Sequence, residues 1–164
     1  MQLEIPLSTV EFIAKKASAN GNRVILNPAP ALQLSDELLG CLYLITPNET
    51  EAELLTGIKV NDAASAEKAA LILWNRGVQN VVITMGGSGA YLLTGTISGM
   101  ITVVPVKAVD TTAAGDIFNG AIAVAISEGM NIKEAVTFAN RAAGISVTRM
   151  GAQASAPYRK EIRH

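Results

Sequence analysis

Val81-Val82-Ile83-Thr84-Met85, running straight into Gly86-Gly87-Ser88-Gly89, is the stretch on which the fold turns. A continuous apolar run without polar alternation is the pattern of a strand covered on both faces, the habit of parallel sheets flanked by helices. Upstream, Ser65 with Lys68 to Arg76 and Gly77 predicts a long helix, with Ala69, Leu71, Ile72 and Trp74 as its apolar set. Before it, Asn48 to Leu55 predicts a helix closed by Gly57, and Cys41 to Ile45 a strand stopped by Thr46-Pro47. Arg23 to Asn27 predicts another strand, halted by Pro28-Ala29-Pro30. Ser8 with Glu11 has the spacing of a capping box, for a helix ending at Asn20-Gly21, and Leu3 to Ile5 reads as a first short strand. Downstream, the glycine cluster turns the chain into a strand at Ala90 to Leu93, and Ile101 to Val106 reads as one more. Gly115 to Glu128 and Ile132 to Val147 then predict two consecutive helices joined at Gly129-Met130-Asn131. Strands alternating with helices, the strands almost purely apolar, specify an α/β layered sheet with mainly parallel pairing. No internal repeat or low-complexity linker interrupts residues 1–164, which are expected to hold no internal domain boundary.

Composition narrows the function. The charged share is 16%, against roughly 25% in ordinary soluble domains, so the chain either buries much of itself or meets a partner surface. Net charge is −1 with basic residues scattered, which is not the footprint of a nucleic-acid binder. No apolar run approaches the roughly 18–20 residues that span a bilayer, and Met1 to Pro6 lacks the marks of a signal peptide. The lone Cys41, in an apolar stretch, reads as a buried small hydrophobe; with no disulfide scaffold, the expected compartment is the cytoplasm. The only histidine is His164, so Ser-His-Asp, Cys-His and His/Cys zinc chemistry lack an imidazole. Catalysis must rest on carboxylates, backbone amides, Asn, Lys/Arg and bound metal.

The segment richest in chemistry is Val109-Asp110-Thr111-Thr112-Ala113-Ala114-Gly115-Asp116-Ile117-Phe118-Asn119-Gly120. Small residues open a helix whose first-turn amides and dipole make a natural anion site. Ala113, Ala114 and Gly115 leave room for a phosphate, and Asp116 falls in the same turn. The same letters also fit a helix merely capped by Asp110 or Thr112, with Asp116 complementing the dipole. Gly86-Gly87-Ser88-Gly89 is neither a P-loop, lacking Gly-Lys-Ser/Thr, nor a nucleophile elbow, since Ala90 follows. It reads as a hairpin turn where backbone can approach a ligand closely. Asn48 and Glu51, three apart at a helix start, could hold water on Mg²⁺ or simply cap the helix.

Together these segments resemble the ribokinase/PfkB family of carbohydrate kinases. Asp110-Thr111-Thr112-Ala113-Ala114-Gly115-Asp116 resembles its C-terminal signature, and Thr46-Pro47-Asn48-Glu49-Thr50-Glu51 its Asn-x-x-Glu element. Val147 to Ser155 resembles the tail of the ribose-phosphorylating members, and Gln2 to Pro6 a strand near the middle of the full-length enzymes. The resemblance implies a layered α/β/α ribokinase-like sheet, here lacking the N-terminal strands and lid. It implies transfer of phosphate from ATP to a sugar hydroxyl, ribose to ribose 5-phosphate, with Mg²⁺ and a monovalent cation (K⁺) as cofactors. By the same resemblance Asp116 is the base for the sugar hydroxyl, and Ala113, Ala114 and Gly115 form the anion hole. Asn48 and Glu51 organise Mg²⁺ and phosphate; Asn48, Thr84, Gly86, Gly87, Gly89 and Asn140 line the nucleotide. Asp110, Thr112, Ser146, Arg149, Gly151 and Ser155 surround the cation, several through backbone carbonyls, and Glu4 contacts the sugar.

The resemblance covers only the later half of the family's chain. The expected partners are therefore ATP, a small sugar, and the missing N-terminal half or another copy of this chain, with no nucleic acid and no membrane. An apolar sheet edge and helix face should be exposed. Two other readings stand beside this one: a non-catalytic fragment that keeps the fold, and a kinase of the same family acting on another sugar or a nucleoside.

Overall fold

A computed structural model describes residues 1–162, with Arg163 and the sole histidine, His164, outside the described residues. The chain divides into two compact units, residues 1–85 with 91–100, and residues 86–90 with 101 onward.

The first unit opens differently from expectation. Leu3 to Ile5 is not a strand. The Met1 ammonium donates to the Ile25 carbonyl and Asn27 N–H donates to the Met1 carbonyl, a parallel-type pairing. The pairing does not continue in register, because Leu3 N–H reaches past Asn27 O to Ala29 O. Helix α1 (Leu7–Ala19) starts at Pro6, whose carbonyl accepts from the Thr9 and Val10 amides, so the Ser8–Glu11 capping box does not form. Glu11 accepts a hydrogen bond from the Ser35 hydroxyl instead, at 2.9 Å. The helix stops at Asn20-Gly21, as its letters predict, with Gly21 at φ 76°.

There follow β1 (Ile25–Leu26), α2 (Asp36–Leu39), β2 (Leu44–Ile45), α3 (Glu49–Thr56), α4 (Ala63–Asn75), β3 (Val81–Thr84), β4 (Ala90–Leu93) and β5 (Ser98–Ile101). Helix α2, capped by the Ser35 hydroxyl, is an element that the sequence reading left out. The five strands form one sheet in chain order, with β1–β2 and β2–β3 parallel. Neighbours β3–β4 and β4–β5 are linked by only a few residues, too short for a parallel crossover, so the sheet is mixed.

The core of this unit gathers Val10, Leu26, Leu38, Leu39, Leu42, Ile45, Leu73, Val81 and Ile83. Each side chain buried in this way contributes roughly 1.5–3 kcal/mol. Helix α4 presents Ala66, Ala69, Ala70 and Leu73 to that core, an i, i+3, i+4, i+7 stripe. Leu71 and Trp74, expected inside, are 39% and 40% exposed. Alanines line the contact because they let the helix approach closely, and the larger apolar residues are left on the flank. Cys41 is only partly buried, packed beside the core with its thiol 3.2 Å from Glu37 O.

The second unit is built on α5 (Ala114–Ser127) and α6 (Ile132–Ser146), a helical hairpin. Gly129 at φ 85° makes the turn, and Asn131 and Glu134 close a reciprocal capping box. Phe118, Ile122 and Ala125 of α5 and Ala135, Val136, Ala139 and Ala142 of α6 are buried. The strand expected over 101–106 ends at Ile101; residues 102–106 are irregular, and Val104 is 83% exposed. Pro105, without an N–H, cannot extend a ladder. After α6 the chain makes two short 3₁₀ turns, Gln153–Ser155 and Arg159–Glu161. The tail is fastened by an Arg149–Glu161 pair at 2.6 Å and an Arg159–Glu128 pair at 2.9 Å. None of the described helices is long and apolar enough to cross a membrane.

Candidate functional site

The start of α5 is the centre of the second unit's chemistry. Its N-cap is Ala113 at φ 60°, ψ 10°, the one non-glycine residue with positive φ among the described residues. A left-handed alanine costs roughly 1–2 kcal/mol and persists only where its surroundings hold it. The Ala114 amide is spent on Thr111 O at 3.2 Å, whereas the Gly115 amide makes no hydrogen bond within the described residues. Gly115 is exposed, and a Cβ placed on it would meet nothing within 4 Å. An exposed residue with room for a neighbour and an amide without a partner among the described residues therefore stands at the positive end of the helix dipole. Asp116, in the same turn, is exposed and not sunk into hydrocarbon. With Ala113 it lines a cavity of about 470 Å³ whose other walls, among them Gly120, Ala121, Val124 and Phe138, are mostly apolar.

Neither Asp110 nor Thr112 caps α5. The two oxygens of the Asp110 carboxylate instead accept from Thr112 N–H and Gly151 N–H, both at 2.9 Å. The Thr112 hydroxyl, the Gly151 N–H and the Thr112 N–H hold this carboxyl below the usual aspartate range. Val109 and Asp110 N–H both reach Val147 O. The predicted residues Asp110, Thr112 and Gly151 are thus brought together beside the Ala113–Asp116 turn. Ser146 and Ser155 are buried and turn their hydroxyls onto Ala143 O and Ala152 O. The Arg149 guanidinium is committed to Glu161, so this residue can offer a cation only its carbonyl. Carboxylate, carbonyl and hydroxyl oxygens are the donor chemistry that hard cations take.

Gly89 and Asn140 meet at one atom. Asn140, 7% exposed, donates from Nδ2 to Ile101 O at 3.0 Å. A Cβ on Gly89, which sits at φ 99°, would come within 2.2 Å of the same oxygen, so only glycine fits. Gly86 and Gly87 stand exposed on the turn before it. Asn140 lines a second cavity of about 450 Å³, walled by Val103, Val104, Val106, Gly144 and Ile145. Three of these walls fall in 102–106, where the sequence predicts a strand and hence no cavity lining. Pro105 between exposed valines was the available signal.

In the first unit Asn48, Glu51 and Thr84 come together. Asn48 Oδ1 accepts from Glu51 N–H at 2.9 Å, and Glu51 Oε2 accepts from Asn48 N–H at 2.8 Å, a full capping box. Thr84 N–H donates to Pro47 O, and Thr84 bridges Asn48 at the sheet's end. Burial pushes the Glu51 carboxyl up, partly offset by the Asn48 N–H, with the neighbouring Glu49 charge adding to the rise. One Glu51 oxygen is consumed by the cap, which suits contact with Mg²⁺ through water better than direct ligation. Glu4 is exposed on the segment ahead of α1.

The family model described as pfkB family carbohydrate kinase matches residues 1–159. A ribokinase of Haemophilus influenzae is 52% identical over 161 residues, covering 98% of this chain and 53% of the relative. One of Staphylococcus aureus is 42% identical over 162 residues, with the same two shares. Among solved structures, Thermotoga maritima ribokinase superposes with a TM-score of 0.89 at 45% identity. Arabidopsis thaliana ribokinase complexed with ribose and ATP superposes with 0.92 at 34%. Each covers 98% of this chain and 53% of the other. The α/β fold is thus the ribokinase fold in part, and the chain spans about half the length of the curated relatives it matches. On the match across 1–159, the chain belongs to the pfkB family of carbohydrate kinases.

Proposed function

We propose that this chain is the C-terminal, nucleotide-binding and catalytic part of a ribokinase-like domain that phosphorylates a sugar hydroxyl, ribose to ribose 5-phosphate. The observation that carries this reading is the opening of α5, where the exposed Gly115, whose amide has no partner among the described residues, stands one residue from the exposed Asp116. Phosphoryl transfer asks a protein mainly to position groups and to stabilise charge on the equatorial oxygens. The acceptor oxygen bonds to the γ-phosphorus, the bond from that phosphorus to the ADP oxygen breaks, and the hydroxyl proton passes to Asp116. A weak base suffices, because the hydroxyl acidifies as its oxygen bonds to phosphorus. The Gly115 amide, within the Ala113–Gly115 turn, meets the growing negative charge without giving up an internal bond.

The cavity over Asn140 has the apolar walls that a nucleotide base needs, and the Gly86–Gly89 turn lets backbone approach the phosphates. Asn48 and Glu51 would organise phosphate and Mg²⁺, which would supply Lewis-acid neutralisation of the phosphate oxygens when bound, and Thr84 would line the nucleotide. A monovalent cation would be held by oxygens around Asp110, Thr112, Ser146, Arg149, Gly151 and Ser155, and would add to the rigidity of the loop without touching substrate. Glu4 contacts the sugar. The relatives' remaining length supplies the rest of the sugar site, so the partner of this chain is that half or a second copy.

Calorimetry with ATP·Mg²⁺, alone and with the remaining half of the Haemophilus influenzae relative added, tests the assignment. Weak binding alone and ribose phosphorylation on complementation are expected. Asp116→Asn should lower the complemented rate by about 10²–10⁴-fold with nucleotide affinity kept. Undiminished turnover in that variant removes the base. Absence of nucleotide binding in both settings favours a fold-keeping fragment, and a faster acceptor in a panel of sugars and nucleosides replaces ribose.

A further inference from the structure

We infer that Asp110 is a positioning residue for the phosphate-binding turn, its carboxylate bridging the Thr112 and Gly151 amides so that Ala113 is held left-handed and the Gly115 amide stays open. The inference rests on the anion-site reading above and deepens it. Three ties converge just ahead of α5. Val109 and Asp110 amides fasten to Val147 O at 2.7 and 3.2 Å, one Asp110 oxygen holds Thr112 N–H, and the other holds Gly151 N–H. The first tie pins the chain to the end of α6, and the last pins it to the loop beyond. Ala113 follows directly, in a conformation that alanine does not choose unaided. Between these ties and the helix there is one further internal bond, Ala114 N–H to Thr111 O. Asp110 is therefore the only side chain among the described residues seen to grip this turn from both sides, and it does so with both oxygens engaged by backbone donors. That geometry differs from what a cation-contacting carboxylate alone requires. Its consequence is independence from the ion: the turn should depend on Asp110 whether or not K⁺ is present.

An asparagine has nearly the same shape but one acceptor atom. It can satisfy Thr112 or Gly151, while its NH₂ faces the other amide donor. The test uses the full chain and the variants Asp110→Ala and Asp110→Asn, with two readouts. Amide hydrogen exchange should show faster exchange at Thr112 and Gly151 in Asp110→Ala, with the α6 interior unchanged. ATP·Mg²⁺ affinity should fall roughly tenfold or more in both variants, in K⁺ buffer and equally in tetramethylammonium buffer. Unchanged exchange at the two amides overturns the bridge. So does an affinity loss confined to K⁺ buffer, which would make Asp110 an ion ligand alone. If Asp110→Ala does not fold, Asp110→Asn carries the test by itself, and its global unfolding would mark a structural residue and overturn the positioning role. Wild-type chain that binds no ATP·Mg²⁺ fells the anion-site reading itself, whereas wild-type binding with unaffected variants fells this inference alone.

Discussion

Ala113 shows how far single letters can be read. The run Asp110 to Asp116 announces an anion site through its small residues and its two aspartates, and the exposed Asp116 and open Gly115 agree with it. That Ala113 is left-handed was not legible, because alanine gives no sign of it where glycine would have. Nor was the work of Asp110, whose Gly151 partner lies 41 residues away, beyond any local rule. The strain makes a prediction. Ala113→Gly should raise stability by up to about 1 kcal/mol in urea titration, since glycine takes φ 60° at little steric cost. Ala113→Val should lower it by about 1–3 kcal/mol, because a β-branched residue is a true outlier there, and it should weaken ATP·Mg²⁺ binding in the same preparation.

At the scale of elements, caps were the most reliable text. Asn48 before α3, Gly57 after it, and Asn131 before α6 stand where their letters put them, because capping is local chemistry between residues three apart. Ser8–Glu11 has the same spacing and fails, since Pro6 starts α1 first. The burial of α4 was misread for a different reason: four small or medium side chains win the contact, and no periodicity count weights Ala66 above Trp74. Asn48→Ala should cost about 1 kcal/mol in thermal or urea unfolding. The backbone N–H of residue 48 still holds the Glu51 carboxylate in this variant, so a drop in Mg²⁺-dependent ATP affinity beyond that stability loss reports the missing Asn48 amide itself. The tail offers a pH test. Arg149, first, and then the Tyr158 N–H hold Glu161 below its usual range. A carboxyl depressed on folding stabilises the fold above its unfolded pKa of about 4.3, and that stabilisation is lost as pH falls through the lowered folded value. The melting temperature of the wild-type chain should therefore fall faster on acidification below about pH 4 than that of Arg149→Met, with the two curves converging at the acid end.

For the molecule as a whole, composition spoke before any motif. A charged share of 16% anticipates a chain with apolar surface to spare, and Phe12, Val104, Val106, Val109 and Val124 are among the large apolar residues left exposed. The class of fold was legible from strand and helix alternation, and the hairpin reading of Gly86 to Gly89 already implied one antiparallel pair in a mainly parallel sheet, whereas β5 at Ser98–Ile101 gave no apolar run by which to find it. Trp74, the only indole, lies in the first unit on the solvent side of α4 at 40% exposure, and Tyr43 and Tyr91 belong to that unit too. Of the aromatic chromophores past residue 100, only Tyr158 is a phenol, and it is 75% exposed. Intrinsic emission is thus a spectroscopic window on one half of the polypeptide, and the helical hairpin that bears Asp116 is nearly dark to it. A melt followed by fluorescence alone would pass over unravelling at α5 and α6, which circular dichroism would register as an early loss of ellipticity.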